Sequence, residues 1–310
     1  MKENLVIATR SSQLALRQAE WVKARVNRHF PDVKIHLSRV KTKGDKILDT
    51  SLTKIGGKGL FVKELEVAIL NQEADIAVHS MKDVPITCPP GLEISVITRG
   101  ETPNDAFVSN QYNSFQNLPE KAVVGTSSLR RVAQLKKARP DLRFESLRGN
   151  VNTRLRKLDE GRYDAIILAM AGLIRLEMED RITEKLSYDL SLPAIGQGVV
   201  CIESRRDDNE VLELIRPLID SKTRSRIRAE RALLCRLNAG CQIPLAGFST
   251  LENGIIELSG LVASEDGKTL VKVTDSAPES DAEALGVRVA EKLLENGARE
   301  ILENIGIEVD

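Results

Sequence analysis

The stretch Ala122-Val-Val-Gly-Thr-Ser-Ser-Leu-Arg-Arg131 decides the architecture. Its apolar start is the kind of short run that a sheet buries, and the hydroxyl residues that follow are helix-starting types, with helical sequence through Ala138. Leu5-Val-Ile-Ala-Thr-Arg-Ser-Ser12 has the same form and leads into an amphipathic run through Leu14, Trp21, Val22 and Val26. Val33–Val40 alternates as a strand does, Leu60–Asn71 reads as a helix and Asp75–His79 as a strand. Leu142–Ser146 and Asp164–Ala169 are further strands, each followed by helical sequence. Repeated strand–helix alternation implies an α/β protein with open sheets. Two echoes hint that the halves are related: Ala8-Thr-Arg-Ser-Ser beside Gly125-Thr-Ser-Ser, and Asp75-Ile-Ala-Val-His beside Asp164-Ala-Ile-Ile-Leu.

The pattern changes after Val211. Two helical stretches run to about Leu237 with a break near Asp220–Lys222, then a loop carries Ala-Gly-Cys241-Gln. Strand-like segments follow at Ile255–Val262 and Thr269–Val273, and a long helix at Ser280–Asn296. This tail is α+β and of single-domain size, so the chain reads as three domains.

Composition narrows the function. The chain has 310 residues, 42% hydrophobic and 29% charged, as ordinary globular proteins do. Lys+Arg and Asp+Glu are equal at 45 each, so no global charge favours nucleic acid or an anionic membrane. Aromatics at 3% leave little to stack on single-stranded bases, which disfavours an RNA-binding role. The first residues lack a signal-type apolar run, and the longest apolar stretch, Ala165 to Ile174, is too short to span a bilayer. A cytoplasmic location is expected. Cys88, Cys201, Cys235 and Cys241 lack metal-ligand spacing, and no metal is expected.

The chemistry lies where strands end. Thr126, Ser127 and Ser128 place three hydroxyls and free backbone N–H groups at a helix start, with Arg130 and Arg131 one turn in. A helix N-terminus attracts anions, and arginine grips carboxylates bidentately. The plainer reading is an N-cap followed by a solvated arginine pair. Arg10 and Ser12 repeat the device, as do Arg148, Asn150 and Arg154. Lys54, Lys58 and Lys82 lie in or beside loops, and Arg175 follows the Asp164 strand. Ligands of open α/β folds bind beyond the carboxyl ends of strands, so these cations suit a polyanionic ligand. Gly56-Gly-Lys-Gly59 lacks the spacing and terminal Ser/Thr of a nucleotide-binding loop, and ATP is rejected. Asp83, in Ser80-Met-Lys-Asp-Val-Pro85, is the one carboxylate among these groups. It is either a turn residue paired with Lys82 or a fixed anion for chemistry that develops positive charge.

The cysteines differ in setting. Cys201 in a strand and Cys235 on an apolar helix read as buried structural residues. Cys241 follows Gly240 in a loop beyond a helix bearing Arg226, Arg228, Arg231 and Arg236, a setting in which access and positive charge favour a reactive thiolate. His29, His36 and His79 are all distant from it in sequence, so a protease-type nucleophile is not expected.

Six motifs in order carry a resemblance. They are Ala8-Thr-Arg-Ser-Ser-Gln-Leu-Ala15, Gly56-Gly-Lys-Gly-Leu-Phe-Val-Lys-Glu-Leu-Glu66, His79-Ser-Met-Lys-Asp-Val-Pro85, Gly125-Thr-Ser-Ser-Leu-Arg-Arg131, Leu147-Arg-Gly-Asn-Val151 and Gly240-Cys-Gln-Ile-Pro244. Along nearly its whole length the chain resembles the porphobilinogen deaminase (hydroxymethylbilane synthase) family. The resemblance implies two periplasmic-binding-protein-like α/β domains with open mixed sheets, facing each other across a cleft, plus a smaller α+β C-terminal domain. It places the first domain at residues 1–98 with 199–216, the second at 99–198, and the third at 217–310.

It further implies a monomeric transferase of tetrapyrrole and haem biosynthesis. Four porphobilinogen molecules would be condensed head to tail with loss of ammonia, on a dipyrromethane cofactor bonded as a thioether to Cys241, and hydrolysis would release hydroxymethylbilane. Asp83 matches the family's catalytic carboxylate, which stabilises the cation left on the pyrrole as ammonia departs. Lys82, Ser12, Thr126, Ser127, Ser128, Arg130, Arg131 and Arg148 are expected at the cofactor, where Gln197 contacts either the cofactor or the hinge. Arg10, Arg148, Arg154, Arg175, Lys54, Lys58, Phe61, Ser80 and Asn150 are expected at the substrate. Ala239-Gly240-Cys241 departs mildly from the Gly-Gly-Cys of some relatives. The rival reading is a non-catalytic anion-binding protein of the periplasmic-receptor type, which would need a secretion signal and would have no use for Asp83 or Cys241.

Overall fold

The apolar run that opens the chain forms strand β1 (Asn4–Arg10), and helix α1 (Gln13–His29) follows at once. The computed structural model describes residues 2–42, 62–238, 243–307 and 309. Next come β2 (Lys34–Val40), α2 (Lys63–Leu70), β3 (Ile76–Ser80) and β4 (Leu92–Ile97). The middle of the chain supplies β5 (Asp105–Val108), β6 (Val123–Gly125), α3 (Leu129–Ala138) and β7 (Arg143–Glu145). It continues with α4 (Val151–Asp159), β8 (Ala165–Ala169), α5 (Met170–Arg175) and β9 (Glu184–Lys185). After β10 (Val200–Arg205), α6 (Asn209–Ile215) and α7 (Ser221–Arg236), the chain ends with β11 (Leu245–Glu252), β12 (Ile255–Ala263), β13 (Leu270–Pro278), α8 (Ala282–Leu293) and α9 (Arg299–Asn304).

Among the described residues three sheets form, in the orders β2-β1-β3-β10-β4, β7-β6-β8-β5-β9 and β11-β12-β13. The first two are mixed α/β sheets and the third is an antiparallel meander, so the expected fold class holds. In the first, β1 pairs in parallel with β2 and β3, and β10 lies antiparallel to β3. In the second, β6 pairs in parallel with β7 and β8, and β5 lies antiparallel to β8. Both central strands are buried along their length, which explains why Ile76–His79 and Ala165–Leu168 are apolar almost without interruption.

The likeness between the two sheets reaches single hydrogen bonds. Asp75 accepts from the Val6 amide at 2.8 Å, and Asp164 accepts from the Val123 amide at 2.7 Å. The amides of both aspartates return the bond, to Val6 O and Val123 O, each at 2.9 Å. Immediately after the strands, Met81 N donates to Val199 O and Met170 N to Asn104 O. The two aspartate echoes in the sequence therefore mark the same structural position twice.

The chain divides into two compact units, residues 1–101 with 199–224 and residues 102–198 with 225–310. The core of the first is built on Leu5, Ile7, Val22, Val26, Ile76, Val78 and Ile202. In the second, the C-terminal sheet packs against α3, with Ala133 and Leu192 set among Ala246, Leu261 and Ala263. Fully burying one such Leu or Val side chain is worth about 1.5–3 kcal/mol.

Two expectations need correction. Helix α1 buries Ala15, Gln18, Ala19, Val22 and Val26, and Trp21 lies outside with the Arg25 guanidinium over its ring. The reason is angular: 15, 18, 19, 22 and 26 share one helical stripe, and 21 falls off its edge. The helix expected at Ser280–Asn296 is found as α8 with a π-helical turn, Leu294–Ala298, in which Gly297 at φ 103° kinks the chain before α9. Strands β4, β5 and β11 carry no clear alternation in the sequence and are additions to the expected pattern.

Candidate active site

In the first unit the candidate residues sit at the carboxyl ends of the neighbouring parallel strands β1 and β3. Thr9 is buried and donates its hydroxyl to Ala15 O at 3.1 Å, which folds the chain directly from strand to helix. Arg10 is half-buried at the strand end, and Ser12 caps α1 by accepting from the Ala15 amide at 3.3 Å. Ser80, which ends β3, accepts from Gln18 Nε2 of α1 at 3.0 Å, so the two strand ends are tied through that helix. A single 3-10 turn, Met81–Asp83, follows. Met81 is buried and anchors the turn, Lys82 is half-buried, and Asp83 is exposed. Behind the turn, His79 Nε2 lies 2.9 Å from Glu203 Oε2, both side chains buried.

The second unit repeats the arrangement at β6, β7 and β8. Thr126 is buried, and its hydroxyl accepts from Ser128 N at 3.2 Å. Ser127 is exposed and donates to Leu147 O at 2.9 Å, which ties the end of β6 to the loop after β7. Ser128 is the N-cap of α3 but makes no side-chain cap hydrogen bond, and the first turn of α3 has no acidic residue. Among the described residues, the amides at that helix start thus have neither a side-chain cap nor an acidic residue in the first turn. Beyond β7, Gly149 has φ 111°, and a Cβ there would come within 2.6 Å of Thr153 Cγ2, so the turn requires glycine. Asn150 caps α4 by accepting from Thr153 N at 2.9 Å, and Arg154 Nε donates to Gly149 O at 2.8 Å. Arg148 is half-buried in this turn. Arg175 donates through Nη2 to Gly198 O at 2.6 Å.

Arg130 and Arg131 differ from the solvated or ligand-facing pair that the sequence suggests. Their side chains are only 4% and 6% exposed, and both guanidiniums close on Asp105, which is fully buried. Burial alone would raise the Asp105 carboxyl, but Arg130 and Arg131 more than reverse this and hold it well below the ordinary carboxylate range. Gln197 joins the same group, donating from Nε2 to Asp105 Oδ1 at 2.9 Å. Asp105 was not singled out from the sequence; its signal is a carboxylate heading the short apolar run Asp105-Ala-Phe-Val108.

Cys201 is buried, as expected, but Cys235 is exposed. Ala229 and Leu233 lie on the buried stripe of α7, and residue 235 falls on the opposite side of the helix. Cys241, Lys54, Lys58 and Phe61 lie outside the described residues. Among the described residues no group of three or more His, Cys, Asp or Glu could hold a metal ion, and no helix is long and apolar enough to cross a membrane.

Each unit is thus an α/β body with hydroxyls and half-buried guanidiniums at the carboxyl ends of its strands, groups whose chemistry can hold anions. Residues 5–213 match the family model "Porphobilinogen deaminase, dipyromethane cofactor binding domain", and residues 225–295 match "Porphobilinogen deaminase, C-terminal domain". A porphobilinogen deaminase of Ruthia magnifica subsp. Calyptogena magnifica is 54% identical over 304 residues, covering 98% of this chain and 100% of that protein. The chain belongs to the porphobilinogen deaminase family. Among solved structures, a periplasmic substrate-binding protein of an ABC transporter from Coxiella burnetii is similar at TM-score 0.45 and 11% identity, covering 69% of this chain and 91% of that one. A lipoprotein of the YaeC family from Enterococcus faecalis is similar at TM-score 0.41 and 16% identity, covering 72% and 93%.

Proposed function

We propose that the protein joins four porphobilinogen molecules head to tail with release of ammonia and hydrolyses the product to hydroxymethylbilane. It is a transferase of tetrapyrrole biosynthesis, using a dipyrromethane cofactor attached as a thioether through Cys241. The observation that carries this reading is the match of both family domains across residues 5–213 and 225–295.

The residues suit the chemistry. Each pyrrole of the substrate carries an acetate and a propionate, so a growing chain gains two negative charges per ring. The donors at the strand ends fit that charge: Ser127 is exposed, and the α3 terminus offers amides with no acidic residue beside them. When bound, the dipyrromethane supplies the pyrrole carbon from which the chain is extended. Arg10, Ser12, Lys82, Thr126, Ser127, Ser128, Arg148, Arg154 and Arg175 hold acetate and propionate groups, with Ser80 and Asn150 fixing the turns that present them. Lys54, Lys58 and Phe61 complete the substrate positions, and Arg130, Arg131 and Gln197, bonded to Asp105, act on the cofactor site through their charge and placement and not as free clamps.

Asp83 is the catalytic carboxylate. Exposed at the end of β3, it accepts a hydrogen bond from a pyrrole N–H and stabilises the positive charge that develops on the substrate ring as ammonia leaves. At about 4 Å and an effective dielectric of about 20, that attraction is about 4 kcal/mol. Acting only in the transition state, it gives roughly a thousandfold in rate. The protein works in the cytoplasm as a monomer built of three domains: 1–98 with 199–216, 99–198 and 217–310.

The test is turnover. Purified protein given porphobilinogen releases one ammonia per monomer consumed and accumulates hydroxymethylbilane, read by ammonia assay and by product absorbance after oxidation. Saturable binding of porphobilinogen with no ammonia release would leave the receptor-type reading standing instead.

A further inference from the structure

We propose that Asp105 is a positioning residue of the reaction: one buried carboxylate sets the placement of Arg130, Arg131 and Arg175, and Gln197 serves as its link to Arg175. The inference rests on the function proposed above.

Asp105 heads β5 and is 0% exposed. Arg130 donates to it through Nη1 at 2.8 Å and Nη2 at 3.2 Å, and Arg131 through Nε at 3.0 Å and Nη2 at 2.7 Å. Ser191 Oγ adds a bond of 2.7 Å and Gln197 Nε2 one of 2.9 Å. A carboxylate offers about four lone-pair sites, so every accepting direction of Asp105 is filled. Two adjacent guanidiniums repel each other and resist burial; a shared carboxylate is what permits both.

The outer edges of the arginines are fixed as well. Arg131 Nη1 donates to Ile167 O at 2.9 Å, and Arg130 Nη1 to Leu192 O at 2.6 Å. All three guanidinium nitrogens of Arg131 are thus engaged, and it is not a clamp free to swing onto a ligand. What the cluster leaves is one net positive charge, held rigidly inside the first turn of α3 whose amides are uncapped. That charge strengthens an anion site at the helix start without the arginines leaving Asp105.

Gln197 carries the effect onward. Besides Asp105 it donates to Pro103 O, and the preceding Gly196 amide donates to the buried Glu230 at 2.8 Å. The peptide that follows presents Gly198 O to Arg175 Nη2 at 2.6 Å. Buried carboxylates on both sides thereby fix the segment on which Arg175 rests.

The test is Asp105→Asn, which keeps shape and one acceptor but removes the charge. Groups held equally in the ground state and the transition state affect KM rather than kcat. We expect KM for porphobilinogen to rise at least tenfold with kcat per primed molecule within about threefold, and fewer than half of the freshly purified molecules to carry the two-pyrrole mass increment. A lowered melting temperature with unchanged KM and full loading would mean a purely structural role and would overturn the proposal. Should Asp105→Asn fail to fold, Ser191→Ala removes one arm alone; it is expected to raise KM by a few-fold, and wild-type KM in that variant overturns the proposal. A wild type with no increment at all would instead strike the functional reading, and this inference with it.

Discussion

Replacing Arg131 with alanine tests whether the Asp105 cluster is an energetic unit. The substitution removes the bonds from Nε and Nη2 to Asp105 and the bond from Nη1 to Ile167 O. Breaking a buried ion pair costs about 3–5 kcal/mol. Arg130 stays on Asp105, so the lower end applies, about 3 kcal/mol. The Ile167 carbonyl left without this donor adds about 1 kcal/mol. For a unit of this size each kcal/mol moves the melting temperature by about 2–4 °C, so a fall of roughly 8–16 °C is expected. Circular dichroism melts of the wild type and Arg131→Ala measure it directly. Asp105 and Arg131 interact directly, so adding Asp105→Asn to Arg131→Ala should cost less than the two changes separately, by at least about 1 kcal/mol. A melting temperature within 2 °C of wild type, or strictly additive costs, refutes the reasoning.

Asp83→Asn should leave the protein folded and loaded with primer while product formation falls by roughly a thousandfold, the loss of about 4 kcal/mol from the transition state; stopped assays showing near-normal turnover would remove Asp83 from its role. Acid should destabilise the protein through Asp105, whose folded value is depressed: its contribution is complete above the unfolded value of about 4 and is lost as pH falls toward the folded one. Asp208 and Asp220, also lowered, act in the same direction. Melting temperature should therefore drop between pH 5 and pH 2.5, more shallowly in Asp105→Asn, and identical slopes in the two proteins would contradict the assignment.

Much of the fold was legible because β1, β3, β6 and β8 are short apolar runs that the two sheets bury, and β1, β3 and β6 are each followed by helix-starting hydroxyls or a sharp turn. The repeated aspartates at positions 75 and 164 were visible as an echo, and their matching bonds to Val6 and Val123 give the echo a physical cause. The arginine pair was harder. Arginine is seldom fully buried, so two of them after a strand read as facing a ligand or solvent. Their counter-ion lies 25 and 26 residues earlier in the chain, in a strand with little pattern of its own. Trp21 misled for a simpler reason: size and hydrophobicity suggested a core residue, but the stripe that faces the sheet is set by angle, and position 21 is off it.

The proposed function requires Cys241 to carry two linked pyrroles. Electrospray mass spectrometry of protein taken straight from purification, alongside Cys241→Ser, addresses it without any assay of activity. The wild type should weigh more than its polypeptide by two pyrrole rings with their side chains, and the serine variant should weigh what its sequence dictates. A wild type at its bare polypeptide mass, or an increment that survives in Cys241→Ser, would contradict it.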